Sequence, residues 1–321
     1  MNEPLRIATR KSPLAIWQAE RVRDLLTARG QAVELVRLST VGDRIVDRPL
    51  AEVGGKGLFV KELEEALKDG RCDLAVHSAK DVPFELPDGF SLCAFPERDD
   101  PRDALVAPRA RTFAGLPAGA QVGTSSLRRA VQLLAARQDL VIVPVRGNVQ
   151  TRLSRADPQE QGGAALDAVV LAFAGLRRLG LGDRVTEVLS LELSLPAPGQ
   201  GAIAIEVRDG SRGQLASVAL DDAATAACVR AERALLAHLA GSCTVPLAAY
   251  AVQEGARLHL RAVLGGPDGS GGVRLLRAEA RGDHPVALGI RVAEALLAQG
   301  GGALLEAARA SAGGLPAPKF S

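Results

Sequence analysis

The first half of this chain alternates short β-rich runs with helical patterns, and that alternation limits its fold more than any other feature. Consecutive segments of this kind build α/β layers, with helices packed against a largely parallel sheet. Leu5–Thr9, Val33–Leu38, Asp73–His77 and Phe90–Phe95 read as strands. Pro13–Ala28 and Leu58–Lys68 read as helices, the first with proline in its opening turn. A second block begins near Asp99, with strands at Ala104–Ala107, Leu140–Val145 and Ala168–Phe173 and helices after Ser126 and Asn148. The motif PAPGQG (Pro196–Gly201) leads into a further strand, Ala202–Val207. From Ala219 the grammar changes. A long helix (Asp222–Leu239) precedes strands at Leu247–Val252, Leu258–Leu264 and Val273–Ala280, a glycine-rich turn over 265–272 and a closing helix, His284–Leu297. That pattern is a small α+β unit.

In both early blocks the polar clusters fall just past strand ends, beginning at Arg10, Lys80, Arg146 and Arg177. Open α/β sheets bind ligands at that edge, and two such edges facing each other make a cleft. Arginines recur there. Arg128 and Arg129 follow a Gly-Thr-Ser-Ser turn where a helix begins, and Arg152 opens the next helical stretch. A cation early in a helix opposes the helix dipole at roughly 0.3–1 kcal/mol, so repeated placement calls for an anion. Guanidinium forks suit carboxylates and phosphates. The chain has thirty-three arginines and six lysines, so position rather than residue type carries this argument. By the same bias, Lys56 and Lys80 stand out as places where a compact ammonium is wanted.

The remaining composition excludes several classes. A net charge of +2 and an aromatic share of 3% fit neither a generic nucleic-acid binder nor a stacking platform. No apolar run reaches the roughly 18 residues of a membrane span, and MNEPLRIATRKSPLA lacks a signal peptide's apolar stretch. The expectation is a cytoplasmic protein without nucleic-acid or membrane partners. The four cysteines show no Cys-x-x-Cys spacing, so no metal site is expected.

Individual residues allow two readings each. Asp81 is either a turn-stabilising residue before Pro83 or a cleft carboxylate able to pass a proton or meet a developing cation. Arg10 and Ser12 form either a solvated turn with a helix cap or an anion site at a helix start. His77 reads as a packed imidazole. Cys243 lies in a loop of small residues (Gly241–Pro246), unlike Cys72, Cys93 and Cys228, which fall in core patterns. It is the best candidate for a modified thiol. The loop Gly42–Gly57 is glycine-rich, and Lys56 in it lacks the spacing of a phosphate loop.

Ten stretches, in order, resemble the porphobilinogen deaminase family: IATRKSPLA, VGGKGLFVKELE, AVHSAKDVP, ERDDPRDA, GTSSLRR, RGNVQTRL, AGLRRLGL, LPAPGQGAIAIE, AERALLAHLAGSCTVPLAAY and RAVLGGPDG. The resemblance implies two periplasmic-binding-protein-like α/β domains around a cleft plus a small α+β domain. The implied boundaries are 1–98 with 199–217, then 99–198, then 218–321. It implies a transferase of haem biosynthesis that joins four porphobilinogen molecules head to tail, with loss of ammonia, into the linear tetrapyrrole hydroxymethylbilane. A dipyrromethane cofactor would be held by a thioether to Cys243. Asp81 would be the catalytic acid, stabilising the azafulvene-like cation left as ammonia departs. Lys80, Ser126, Arg128, Arg129 and Arg146 would bind the cofactor. Arg10, Ser12, Arg152 and Arg178 would bind substrate and growing chain, with Lys56 and Phe59 on or beside a lid. The family expectation is a monomer. Glu52 stands where a basic residue often precedes the lid glycines, and Ala79 where a larger apolar residue is common.

Overall fold

The structure, a computed structural model, describes residues 3–40, 60–157, 165–239 and 245–311. Its first sheet has five strands in the order β2-β1-β3-β10-β4, formed by β1 (Leu5–Arg10), β2 (Val33–Leu38), β3 (Leu74–Ser78), β4 (Phe90–Ala94) and β10 (Ile203–Arg208). The second sheet follows the order β7-β6-β8-β5-β9. Its strands are β5 (Asp103–Val106), β6 (Gln121–Gly123), β7 (Val141–Val143), β8 (Ala168–Ala172) and β9 (Glu187–Val188). The sheets share one pattern. Three parallel strands are followed in fourth place by an antiparallel one, β10 against β3 and β5 against β8. Those antiparallel strands are the ones the chain makes just after crossing between the sheets. Each crossing therefore arrives at a carboxyl edge: Ile203 pairs with Ser78, and Asp103 with Ala172.

The local reasons are ordinary. Helix α1 (Pro13–Thr27) starts at Ser12, whose hydroxyl accepts from the Ala15 N–H at 3.3 Å, and buries Ala15, Ala19, Val22 and Leu26 at helical spacing. Helix α2 (Lys61–Lys68) buries Leu63, Ala66 and Leu67 on the other face of the first sheet, against Ala8 and Ala75. In the second sheet, α3 (Leu127–Ala136), α4 (Val149–Ser154) and α5 (Phe173–Arg178) follow β6, β7 and β8. Helix α6 (Arg212–Ser217) follows β10.

The third unit packs α7 (Ala223–His238) and α8 (Pro285–Ala298) on an antiparallel sheet of β11 (Leu247–Glu254), β12 (Arg257–Pro267) and β13 (Val273–Gly282). Two expectations change here. Gly265 and Gly266 belong to strand β12, paired with Leu275 and Arg274, so the turn is shorter than 265–272. Small residues are needed because a Cβ at Gly265 would lie 2.5 Å from a Val131 methyl, and one at Gly266 2.9 Å from Leu304. Leu304 belongs to an additional helix, α9 (Gly301–Ser311), which the periodicity of the tail did not announce. Among the described residues no single helix is long and apolar enough to cross a membrane.

A buried knot joins the three units. Glu232, fully buried on α7, accepts from Arg98 Nη1 at 2.7 Å and Nη2 at 3.2 Å, from the Gly199 N–H at 2.6 Å and from the Ala251 N–H at 2.8 Å. One carboxylate thus ties the first crossing, the second crossing and the third unit.

Candidate active site

The carboxyl edge of the first sheet supplies Arg10, at the end of β1, and Asp81, in the 3-10 turn that closes β3. Arg10, Ser12 and Asp81 line a pocket of about 400 Å³, open mouth included, with Gln18, His77 and Ser78. Asp81 is exposed there. Ser12 both caps α1 and faces this pocket, so its two readings are compatible. Gln18 Nε2 donates to Ser78 Oγ at 2.8 Å. His77 is packed, with Nε2 2.8 Å from Glu206 Oε2, although the angle makes no regular hydrogen bond. Glu206 is fully buried among the apolar residues of β10, where a carboxylate needs a cationic or donor neighbour.

The second sheet supplies the arginine pair. Arg128 and Arg129 are helical residues of α3, each 5% exposed, and both reach the fully buried Asp103 at the start of β5. Arg128 Nη1 donates to Asp103 Oδ2 at 2.7 Å and to the Leu195 carbonyl at 2.7 Å. Arg129 Nη2 and Nε donate to Asp103 Oδ1 at 2.8 and 3.0 Å, and its Nη1 to the Val170 carbonyl at 3.0 Å. Burial alone would raise the Asp103 pKa, but the two guanidinium groups outweigh it and hold this carboxyl far below the usual range. The first anion these arginines meet is therefore internal. Arg128 Nε is buried without a hydrogen-bond partner. Ser126 occupies the N-cap position of α3, yet its hydroxyl makes no capping bond.

Charges from the two sheets act on one another. Burial lowers the Lys80 pKa to about 8; Asp81 and Asp103 oppose this, and Arg129 and Arg128 add to it. Arg152, whose Nε donates to the Gly147 carbonyl at 2.9 Å, is lowered by burial, by Arg129 and by Arg146, with Asp81 opposing. Lys80, Asp81, Arg128, Arg129, Arg146 and Arg152 thus belong to one electrostatically linked group that draws on both sheets. Arg178 lies instead where the sheets meet. Its Nη2 donates to the Gly201 carbonyl at 2.6 Å, and its guanidinium sits over the Trp17 ring at 5.4 Å.

Sequence reasoning assigned no role to Asp103, Gln200, Glu206 or Glu232. A carboxylate opening or interrupting an apolar strand, as in Asp103-Ala-Leu-Val or Ile-Ala-Ile-Glu206-Val, is the signal that points to a buried charged partner. Cys243, Lys56, Phe59 and Glu52 lie outside the described residues. Burial raises the thiol pKa of Cys72, of Cys93 to about 12 and of Cys228 to about 11, so these three are poor nucleophiles.

Two family models match the chain. The dipyromethane cofactor binding domain of porphobilinogen deaminase spans residues 5–215, and the porphobilinogen deaminase C-terminal domain spans 226–298. The chain belongs to the porphobilinogen deaminase family. Porphobilinogen deaminase of Bordetella parapertussis is 54% identical over 94% of this chain and 96% of its own length. That of Thiobacillus denitrificans is 51% identical over 94% and 98%. Membership makes the chain an enzyme of tetrapyrrole biosynthesis, a hydroxymethylbilane synthase with a dipyrromethane cofactor domain. A lipoprotein from Bacillus subtilis overlays 68% of this chain and 89% of its own at a TM-score of 0.41 and 16% identity. The periplasmic VFT2 domain of Bordetella pertussis BvgS overlays 67% and 85% at 0.39 and 19%. Overlaps this shallow carry no weight beside the strand orders.

Proposed function

We propose that the cleft between the two sheets polymerises porphobilinogen with Asp81 as the catalytic carboxylate and Cys243 as the thioether anchor of the dipyrromethane. The observation that carries this reading is the convergence of Asp81 with Lys80, Arg129 and Arg152 at facing carboxyl edges. The donor set fits a polycarboxylate. Lys80 and Arg152 are crowded by other cations, Asp103 is shared by two arginines, and Arg128 Nε is an orphaned buried donor.

Lys80, Ser126, Arg128, Arg129 and Arg146 would hold the dipyrromethane. When bound it supplies the pyrrole carbon to which the first porphobilinogen is joined. Arg10, Ser12 and Arg152 would hold acetate and propionate groups of substrate and chain, which fixes the reacting carbons close together. Arg178, at the meeting of the sheets, would act on substrate through cleft geometry. Lys56 and Phe59 would lie on the lid. As ammonia departs, positive charge develops on the substrate methylene carbon. Asp81, exposed in the pocket, meets that charge only as it forms, which is differential stabilisation of the transition state. The same carboxylate can take the proton released when the new bond forms. Domains of 1–98 with 199–217, 99–198 and 218–321 fit this division of labour. We place the enzyme in the cytoplasm as a monomer.

Intact-protein mass of the purified chain should show the added dipyrromethane, and Cys243→Ala should lack it. An unmodified mass together with no porphobilinogen turnover would sink the reading. Asp81→Asn should keep the added mass and lose turnover by roughly 10²-fold or more. Turnover near wild type would remove Asp81 from the chemistry.

A further inference from the structure

We propose that Gln200 is a positioning residue that ties Lys80 of the first sheet to the Asp103–arginine cluster of the second, so that both halves of the cleft share one arrangement of cations. Gln200 is 1% exposed and lies on the second crossing, between Gly199 (φ +72°) and Gly201 (φ +87°). Its Nε2 donates to the Pro101 carbonyl at 2.6 Å and to Asp103 Oδ1 at 2.9 Å. Its Oε1 accepts from Lys80 Nζ at 3.4 Å. The orientation of the amide is forced. Two acceptors on one side require the NH₂ there, which leaves the oxygen for the ammonium. Neither a carboxylate nor a cation could serve both sides.

The backbone reinforces the placement. A Cβ at Gly201 would lie 2.5 Å from the Asp99 carbonyl, and one at Gly199 3.1 Å from Ala79, so the crossing presses against the turn that carries Lys80 and Asp81. The Gln200 carbonyl accepts from Arg98 Nε at 2.8 Å, and Arg98 is gripped by Glu232. Both crossings and the third unit therefore set where Gln200 stands.

The groups facing Lys80 are Asp81 on its own turn, Asp103 on β5, and Arg128 and Arg129 on α3. With a pKa of about 8, this ammonium is poised near its point of proton loss. An oxygen acceptor that keeps it charged keeps one more cation in the cleft. The consequence for substrate rests on the proposed carboxylate grip; the titration of Lys80 in the resting chain does not.

The test is NMR titration of the purified full-length enzyme with ¹³C-labelled lysine, in wild type, Gln200→Met and Gln200→Glu, beside steady-state kinetics. In Gln200→Met, Lys80 should lose its proton at lower pH, and KM for porphobilinogen should rise roughly tenfold with a smaller change in kcat. In Gln200→Glu, Lys80 should lose its proton at higher pH. A packing role alone would lower the melting temperature and leave Lys80 in place. Unchanged Lys80 titration in both variants overturns the proposal. If Gln200→Met does not fold, Gln200→Glu alone decides by the same criterion. A moved titration with unchanged KM upholds the coupling and rejects the carboxylate grip.

Discussion

Two adjacent arginine pairs, Arg128-Arg129 and Arg177-Arg178, look alike in sequence and do different work. The first pair is buried as a unit on one carboxylate, Asp103, with further bonds to the Leu195 and Val170 carbonyls. The second shares its carboxylate more loosely. Arg178, 6% exposed in its side chain, has Nε 3.6 Å from Asp99 and bonds the Gly201 carbonyl beside Trp17, whereas Arg177 is 54% exposed and 3.0 Å from Asp99. Burial of the counter-ion decides the difference. Asp103 is sealed and must be matched on both oxygens, while Asp99 keeps contact with water and demands less. The same dipeptide is therefore a sealed ion cluster in one place and a strut between the sheets in the other.

The hardest blow to this contrast is Asp103→Ala. It would leave two buried guanidinium groups facing each other, and breaking a buried pair costs roughly 3–5 kcal/mol. Chemical denaturation should show a loss of that size; a loss under about 1 kcal/mol would mean the arginines have other counter-ions. The wild type offers a check by pH. Asp103 has its pKa depressed on folding, so its stabilisation is complete above the unfolded value near 4 and is lost as pH falls below it. Asp103→Ala should therefore flatten the acid side of the stability curve.

Much of the architecture was legible in the chain. Alternating apolar runs placed the strands of both sheets, and the polar residues at their ends marked the carboxyl edges. Arg10, Lys80 and Asp81 stand at or just past strand ends, Ser12 at a helix cap and Arg128 and Arg129 in the first turn of a helix, as their spacing suggests, whereas Arg152 falls in the last turn of α4 rather than opening it. The partners of the arginines were less visible. Asp103 and Arg128 are 25 residues apart and meet inside the second sheet's unit, where β5 lies beside β8, and Gln200 is 97 from Asp103, a contact that the return crossing creates. The arginine positions call for an anion, but the sequence does not show that a strand start and a helix start meet, so the internal share taken by Asp103 is hidden in it. Glycines 265 and 266 misled for a related reason. Their small size serves helices packed from elsewhere, not a turn.

Arg178→Met sharpens the comparison at intermediate cost. It removes the bond to Gly201 and the stacking on Trp17, yet Asp99 keeps Arg177 at 3.0 Å, so no carboxylate is orphaned. A loss of roughly 1–3 kcal/mol follows, with kcat/KM lowered through cleft geometry. A loss as large as that of Asp103→Ala would make the strut and the sealed cluster equivalent. The smallest effect belongs to Arg177→Met. Its pair with Asp99 is exposed and its guanidinium rests 5.8 Å from the Phe173 ring, so denaturation should move by at most about 1 kcal/mol. Salt separates this pair from the sealed one. Raising ionic strength should shrink the Arg177→Met effect further, because water already screens Asp99, and should leave the Asp103→Ala effect nearly unchanged, because a buried pair is screened far less. Equal salt dependence in the two variants would mean that burial of the counter-ion is not what divides the two arginine pairs.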